Sequence, residues 1–258
     1  MTTIIHPDYE HLRGRIENVP NGRNKNDLLI RDNRNILYKT EMGEDLFVVK
    51  QYKCPTFVNR IVYTFFRKSK ARRSYEYAQR LLKEGIGTAE PVAYIEIPRK
   101  GLFHTGYFIS RHLDLELLKE VEKHPDCNDI LDDLARFTVK LHRKGILHGD
   151  YNTSNILFEK HKGEYRFSLI DNNRIHFRYP SKRRCVNDLK QMGLPLPLLV
   201  RMAALYAEIR GWNSEIFCAR ILFVRGFGIK GRIKRELKAI KKEIKALFQH
   251  NNAKYAHR

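Results

Sequence analysis

Two aspartates and an asparagine carry the chemistry this sequence can offer. Asp150 and Asn155 lie within ILHGDYNTSNILF, residues 146 to 158, and Asp171 closes the run RFSLID. Apolar residues on both sides of the first group predict that the chain leaves a core and returns to it, so the polar groups stand on a buried support. NILF, the charged turn EKHKGEY and RFSLID read as a β-hairpin, with Asn155 at its entrance and Asp171 at its exit. The hairpin brings all three side chains to one end. Two carboxylates and an amide oxygen are hard donors, suited to Mg2+ and to orienting a hydroxyl, and poorly suited to zinc or copper.

The elements around them divide into two groups. DLLIR at 27–31, NILYKT at 35–40 and DLFVVKQY at 45–52 read as strands, the last two joined by the turn EMGE. Residues 57–66 and 72–84 read as helices, the second with Tyr75, Ala78, Leu81 and Leu82 on one face before Gly85 and Gly87 stop it. PVAYIEI at 91–97 and GYFIS at 106–110 then complete a five-stranded antiparallel sheet. From about residue 114 the pattern turns helical, at 129–144, 195–210 and 229–249. The expectation is an α+β chain in two lobes. A small β-rich lobe occupies 1–110, and a larger helical lobe at 111–258 carries the polar cluster and a basic C-terminal helix.

Composition narrows the partners. The 258 residues are 42% hydrophobic, enough for a sizeable core. Lys and Arg outnumber Asp and Glu by 49 to 29, a formal charge of +20, which points to an anionic partner: nucleic acid, anionic lipid or a phosphorylated substrate. Cysteines 54, 127, 185 and 218 form no CxxC pair, so neither a disulfide framework nor a zinc site is expected, and a reducing cytosol fits. MTTIIHPDYEHLRGR has no apolar signal core, and the apolar stretch 194–209 is broken by Pro195, Pro197 and Arg201. A soluble protein able to touch a membrane is predicted.

With these residues in view, the sequence resembles the protein-kinase-like fold and, within it, the bacterial lipopolysaccharide core sugar kinases that phosphorylate Kdo or heptose. HGDYNTSN, 148–155, matches the family's catalytic loop, with His-Gly-Asp where protein kinases have His-Arg-Asp and with the kinase spacing from Asp150 to Asn155. LIDNNR, 169–174, matches the metal-binding Asp motif, with Asn172 and Asn173 in place of Phe and Gly. VVK at 48–50 matches the strand lysine, and SYEYAQRLLKEGIGTAEPVAYIE, 74–96, resembles the family's helix and following strand. The resemblance implies ATP and Mg2+ as cofactors. Lys50 would hold the α- and β-phosphates, with Glu76 as its ion-pair partner; Asn155 and Asp171 would coordinate Mg2+, and Asp150 would orient the acceptor hydroxyl. His148 would brace the loop. The loop around Arg31-Asp32-Asn33-Arg34-Asn35 lacks the glycines of a phosphate cradle, which leaves Arg31 or Arg34 to contribute.

Only Asn172 to Cys185 separate the metal aspartate from the helix expected near Val186, which leaves little room for a peptide-docking platform and favours a small acceptor. IVYTFF precedes RKSKARR at 67–73, and residues 220–245 hold ten Lys or Arg against two Glu. Aromatic anchors beside basic groups match an anionic glycolipid in a membrane. In 231–250, Ile233, Leu237, Ile240, Ile244 and Leu247 fall on one helical face, with Lys234, Lys238, Lys241 and Lys245 among the basic residues opposite. The leading expectation is ATP-dependent phosphorylation of an inner-core lipopolysaccharide sugar, Kdo ahead of heptose. The acceptor would be a Kdo-lipid A type glycolipid at the cytoplasmic face of the inner membrane, with an anionic membrane surface as partner rather than nucleic acid. Two other readings stand beside it: a small atypical protein kinase, and a basic pseudokinase or nucleic-acid-associated module. Oligomeric state is left open.

Overall fold

The computed structural model describes residues 1–33 and 35–226. The chain opens with β1 (Thr2–Ile5), a 3-10 turn and the short α1 (Arg13–Asn18), then runs through β2 (Leu28–Asp32), β3 (Asn35–Met42) and β4 (Asp45–Tyr52). Two helices follow, α2 (Phe57–Phe65) and α3 (Lys70–Lys83), then β5 (Gly87–Thr88), β6 (Pro91–Arg99) and β7 (Leu102–Arg111). The six-stranded antiparallel sheet has the order β1-β6-β7-β4-β3-β2. The five strands read from the sequence are all in it; β1 is an additional edge strand, pairing Thr2 with Glu96.

Alternation along β3 and β4 explains both the fold and the site. Tyr38, Thr40, Met42, Phe47 and Val49 enter the core, packed on Ile16 of α1 and on Ile95 and Ile109. Successive strand residues point to opposite faces, so Leu37, Lys39, Val48 and Lys50 share the other face and line the cleft beneath the sheet.

Beyond β7 the chain forms β8 (Glu116–Leu117), α4 (Cys127–Arg143), β9 (Ile146–Leu147) and the hairpin of β10 (Ile156–His161) with β11 (Glu164–Leu169). β12 (His176–Phe177), α5 (Lys182–Leu189) and α6 (Leu196–Ile209) follow. A single apolar cluster unites α4, α5, α6 and the hairpin through Leu134, Tyr151, Phe167, Leu189, Met202 and Tyr206. Leu81 at the end of α3 and Ile86 belong to this lower cluster, so α3 is held by both lobes. β5 also pairs with β11, in parallel, with Gly87 opposite Ser168. Glycine is required there: a Cβ would lie 2.5 Å from the carbonyl oxygen of Phe167. The basic helix expected at 229–249 lies outside the described residues.

Candidate active site

The hairpin does bring the three polar side chains together, and its neighbours fix their directions. Asp150 follows Gly149, whose φ of +72° turns the backbone sharply, and a Cβ at Gly149 would sit 2.5 Å from the carbonyl oxygen of Arg174. The loop therefore packs directly on the segment after Asp171, and this close approach accounts for His-Gly-Asp in place of His-Arg-Asp. Tyr151 points the opposite way from Asp150, fully buried, its hydroxyl 2.8 Å from Thr138 Oγ1 of α4. Asn155 Nδ2 donates to the carbonyl oxygen of Asp150 at 2.9 Å, which commits the amide nitrogen and leaves Oδ1 as the end available to a ligand. Arg174 Nη1 donates to Asp150 Oδ2 at 3.3 Å, and Asn152 Nδ2 to Asp150 Oδ1 at 3.2 Å.

Asp171 sits at the exit of β11 with left-handed backbone angles, φ 59° and ψ 46°. Non-glycine residues adopt this region sparingly, aspartate more readily than most. Its carboxylate meets Lys50 Nζ at 2.6 Å across the cleft. Burial works against the Lys50 charge, but Tyr52 and Asp171 outweigh it and the ammonium lies above its ordinary pKa. Burial works against the Asp171 carboxylate as well, yet Lys50, helped by Arg174, holds it below the usual carboxylate value.

The position of Glu76 corrects the sequence reading. Lys50 is not paired with it: Glu76 accepts from Lys68 at 2.7 Å and from Arg72 at 2.8 Å. The reason is helical phase. Lys70, Arg73, Ser74 and Tyr77 recur at the spacing of one helical face, and that face meets the site, with Ser74 Oγ 2.8 Å from Tyr52 Oη and Arg73 Nη1 donating to Asn173 O at 2.9 Å. Glu76 shares the neighbouring face with Arg72, one turn earlier.

One supporting residue escaped the sequence reading. Asp188 of α5, buried, accepts from the backbone amides of Gly149 at 3.2 Å and His148 at 3.4 Å, and meets His142 Nε2 at 3.3 Å. It ties the catalytic-type loop to α5 and α4. The single acid in the stretch KRRCVNDL was the available signal. His148 Nε2 donates to Ile170 O at 3.0 Å, and burial keeps the ring below its ordinary pKa, so it braces the loop as a neutral imidazole. Among the described residues no group of three or more His, Cys, Asp or Glu could hold a metal alone. The Asn155 and Asp171 oxygens fit Mg2+, which is ordinarily bound by one or two protein oxygens together with phosphate and water.

Above these groups the lobes enclose a cavity of about 490 Å³, lined by the apolar Leu37, Val48, Leu157 and Ile170 and by Lys50, Asn155 and Asp171. Arg31 and Lys39 also line it; Arg34 lies outside the described residues. A β-rich roof, a helical floor, a strand lysine and this loop constellation define a protein-kinase-like phosphotransferase. The fold agrees with a solved structure described as WaaP in complex with acyl carrier protein, at TM-score 0.60 and 18% identity over 90% of this chain and 99% of that one. An aminoglycoside-3'-phosphotransferase of type VIII is similar at TM-score 0.54 and 12% identity, over 84% of this chain and 98% of that one. No curated protein matches by sequence. The profile of the lipopolysaccharide kinase (Kdo/WaaP) family matches residues 42–196, more than half of the chain, and the chain belongs to that family.

Proposed function

We propose that the protein transfers the γ-phosphoryl group of ATP to a hydroxyl of an inner-core lipopolysaccharide sugar, Kdo in preference to heptose. The observation that carries this reading is the shared cleft: Lys50, Asn155 and Asp171 line one cavity, and Asp150 stands beside them, its backbone carbonyl bonded to Asn155. Residues 1–110 supply nucleotide contacts; 111–258 supply the catalytic loop and metal ligands. Lys50 takes the α- and β-phosphates, Asn155 and Asp171 hold Mg2+, and Asp150 orients the acceptor hydroxyl and accepts its proton. Mg2+ when bound neutralises phosphate charge. Arg31 and Lys39 add positive charge at a roof without a glycine cradle.

The short connection from Asp171 to α5 at Lys182 supports a small acceptor rather than a peptide. A membrane-borne acceptor is supported by α2, where Phe57, Val58 and Phe65, with Phe66 just beyond, are exposed and run into Arg67 and Lys68. Such an apolar ridge with basic flanks suits the cytoplasmic face of an anionic inner membrane. No described helix is long and apolar enough to cross one. The test is Mg-ATP turnover with Kdo-lipid A, a heptosylated acceptor and a generic protein acceptor. Fastest transfer to Kdo-lipid A is expected; transfer to protein alone would overturn the reading.

A further inference from the structure

A second cavity, about 520 Å³, lies on the other side of the catalytic-type loop, lined by Phe66, Arg67, Arg73, Tyr77, Arg174 and His176 among others. Its wall is cationic, and one of its cations is buried. Arg73 is 7% exposed, and its described partners are two carbonyl oxygens, Ser69 at 3.4 Å and Asn173 at 2.9 Å, with no carboxylate. A buried guanidinium without a counter-ion is unfavourable, and hydrogen bonds to carbonyls satisfy its geometry without neutralising its charge. Burial and the nearby Arg67 push its pKa down, and Lys70 is depressed by burial, Arg174 and Arg73. The acids nearby are engaged elsewhere: Glu76 with Lys68 and Arg72, Asp171 with Lys50. Arg174 joins this cavity to the chemistry, since it lines the wall and donates to Asp150.

We propose that this cavity is the acceptor's anion subsite: Arg67, Arg73 and Arg174 bind a carboxylate or phosphate group of the acceptor and so present a neighbouring hydroxyl to Asp150. The proposal rests on the kinase reading above for its acceptor, but the subsite itself is defined by the buried cation. A guanidinium fork matches the two oxygens of a carboxylate or phosphate, and a sugar acid carries such a group within a few bonds of its hydroxyls. Phe66 and Tyr77 add apolar walls for the ring.

Calorimetric titration of the full chain separates the possibilities. Free Kdo and inorganic phosphate are each titrated at low salt into wild-type protein and into Arg67→Gln, Arg73→Gln and Lys50→Met. Saturable binding is expected, weakened about tenfold or more in both arginine variants, and the binding of Kdo is unchanged in Lys50→Met. The carboxamide of Kdo should bind weakly to all four. Tighter binding of Kdo assigns the subsite to the sugar carboxylate, and tighter binding of phosphate to a phosphate group. Equal binding by wild type and Arg67→Gln, or loss of Kdo binding in Lys50→Met, overturns the proposal. Arg67 is a wall residue whose backbone amide bonds to Val62 O but whose guanidinium makes no described hydrogen bond or ion pair, so that variant decides the matter even if Arg73→Gln fails to fold. In turnover, the acceptor KM should rise in Arg67→Gln while the ATP KM holds. A wild-type protein that binds Kdo at this subsite but phosphorylates no lipopolysaccharide acceptor would sink the functional reading and leave the subsite standing.

Discussion

Lys50 Nζ lies 2.6 Å from Asp171 Oδ1, so the strand lysine of the roof is bonded directly to the floor residue proposed to hold metal. Glu76 has no part in this pair. Lys50→Met should therefore lower kcat/KM by roughly 100-fold or more, as expected for loss of a buried charge at a phosphate site. Glu76→Gln removes half-exposed ion pairs of small worth and should lower it less than about tenfold. Steady-state kinetics on both variants checks this; a larger loss in Glu76→Gln would mean that α3 rotates when nucleotide binds.

Asp150 and Asp171 should separate binding from chemistry. Asp150→Ala should abolish transfer while nucleotide affinity changes little, because its carboxylate meets Arg174 and Asn152 rather than lining the nucleotide cavity. Asp171→Ala should weaken Mg-nucleotide binding by about tenfold or more. Fluorescent nucleotide titration reads both, and equal losses of affinity would contradict the division.

Gly149 should tolerate no side chain. Its φ of +72° and the 2.5 Å approach of Arg174 O would both penalise alanine, and Gly149→Ala should destabilise the protein by about 1–3 kcal/mol. Gly149→Arg, which restores the protein-kinase sequence, should be worse. Urea denaturation gives the shift in midpoint; an unchanged midpoint for Gly149→Ala would show that the loop can move away.

The two histidines buried among the described residues, His142 and His148, should titrate in opposite senses. Burial holds His148 below the ordinary value, whereas for His142 burial is outweighed by Asp188 and Cys185 and the pKa is raised. As pH falls below about 6.5 the unfolded chain takes up a proton that native His148 refuses, so that contribution to stability declines toward acid. The His142 contribution is fully present below about 6.5 and is lost as pH rises through its folded value. Imidazole 15N shifts near pH 6.5 should show His142 charged and His148 neutral. Two histidines titrating together would refute this.

Much of this architecture was legible because its signals are local. Strand alternation at 35–52, the hairpin turn around Gly163 and the apolar faces of α3, α4 and α6 each lie within one short window, and the spacing of Asp150, Asn155 and Asp171 follows from that hairpin. What was missed depends on distant partners. β1 pairs with residues more than eighty positions away, and four residues of TTII hold no periodicity that would announce it. Asp188 matters only because α5 packs beneath the loop. The partner of Lys50 could not be read from helix spacing, because the phase that turns Arg73 and Ser74 inward also carries Glu76 aside.

Thr88 has a mechanical meaning. Its hydroxyl donates to Leu169 O at 2.7 Å and accepts from Asn172 Nδ2 at 2.7 Å, so the stretch between α3 and β6 is fastened to the floor on both sides of Asp171. It adds to the other ties between the two halves, the packing of Leu81 and Ile86 in the lower cluster and the bond from Arg73 to Asn173. Thr88 is thereby a rivet set immediately behind Asp171, holding the residues on either side of that carboxylate to the chain that runs into β6.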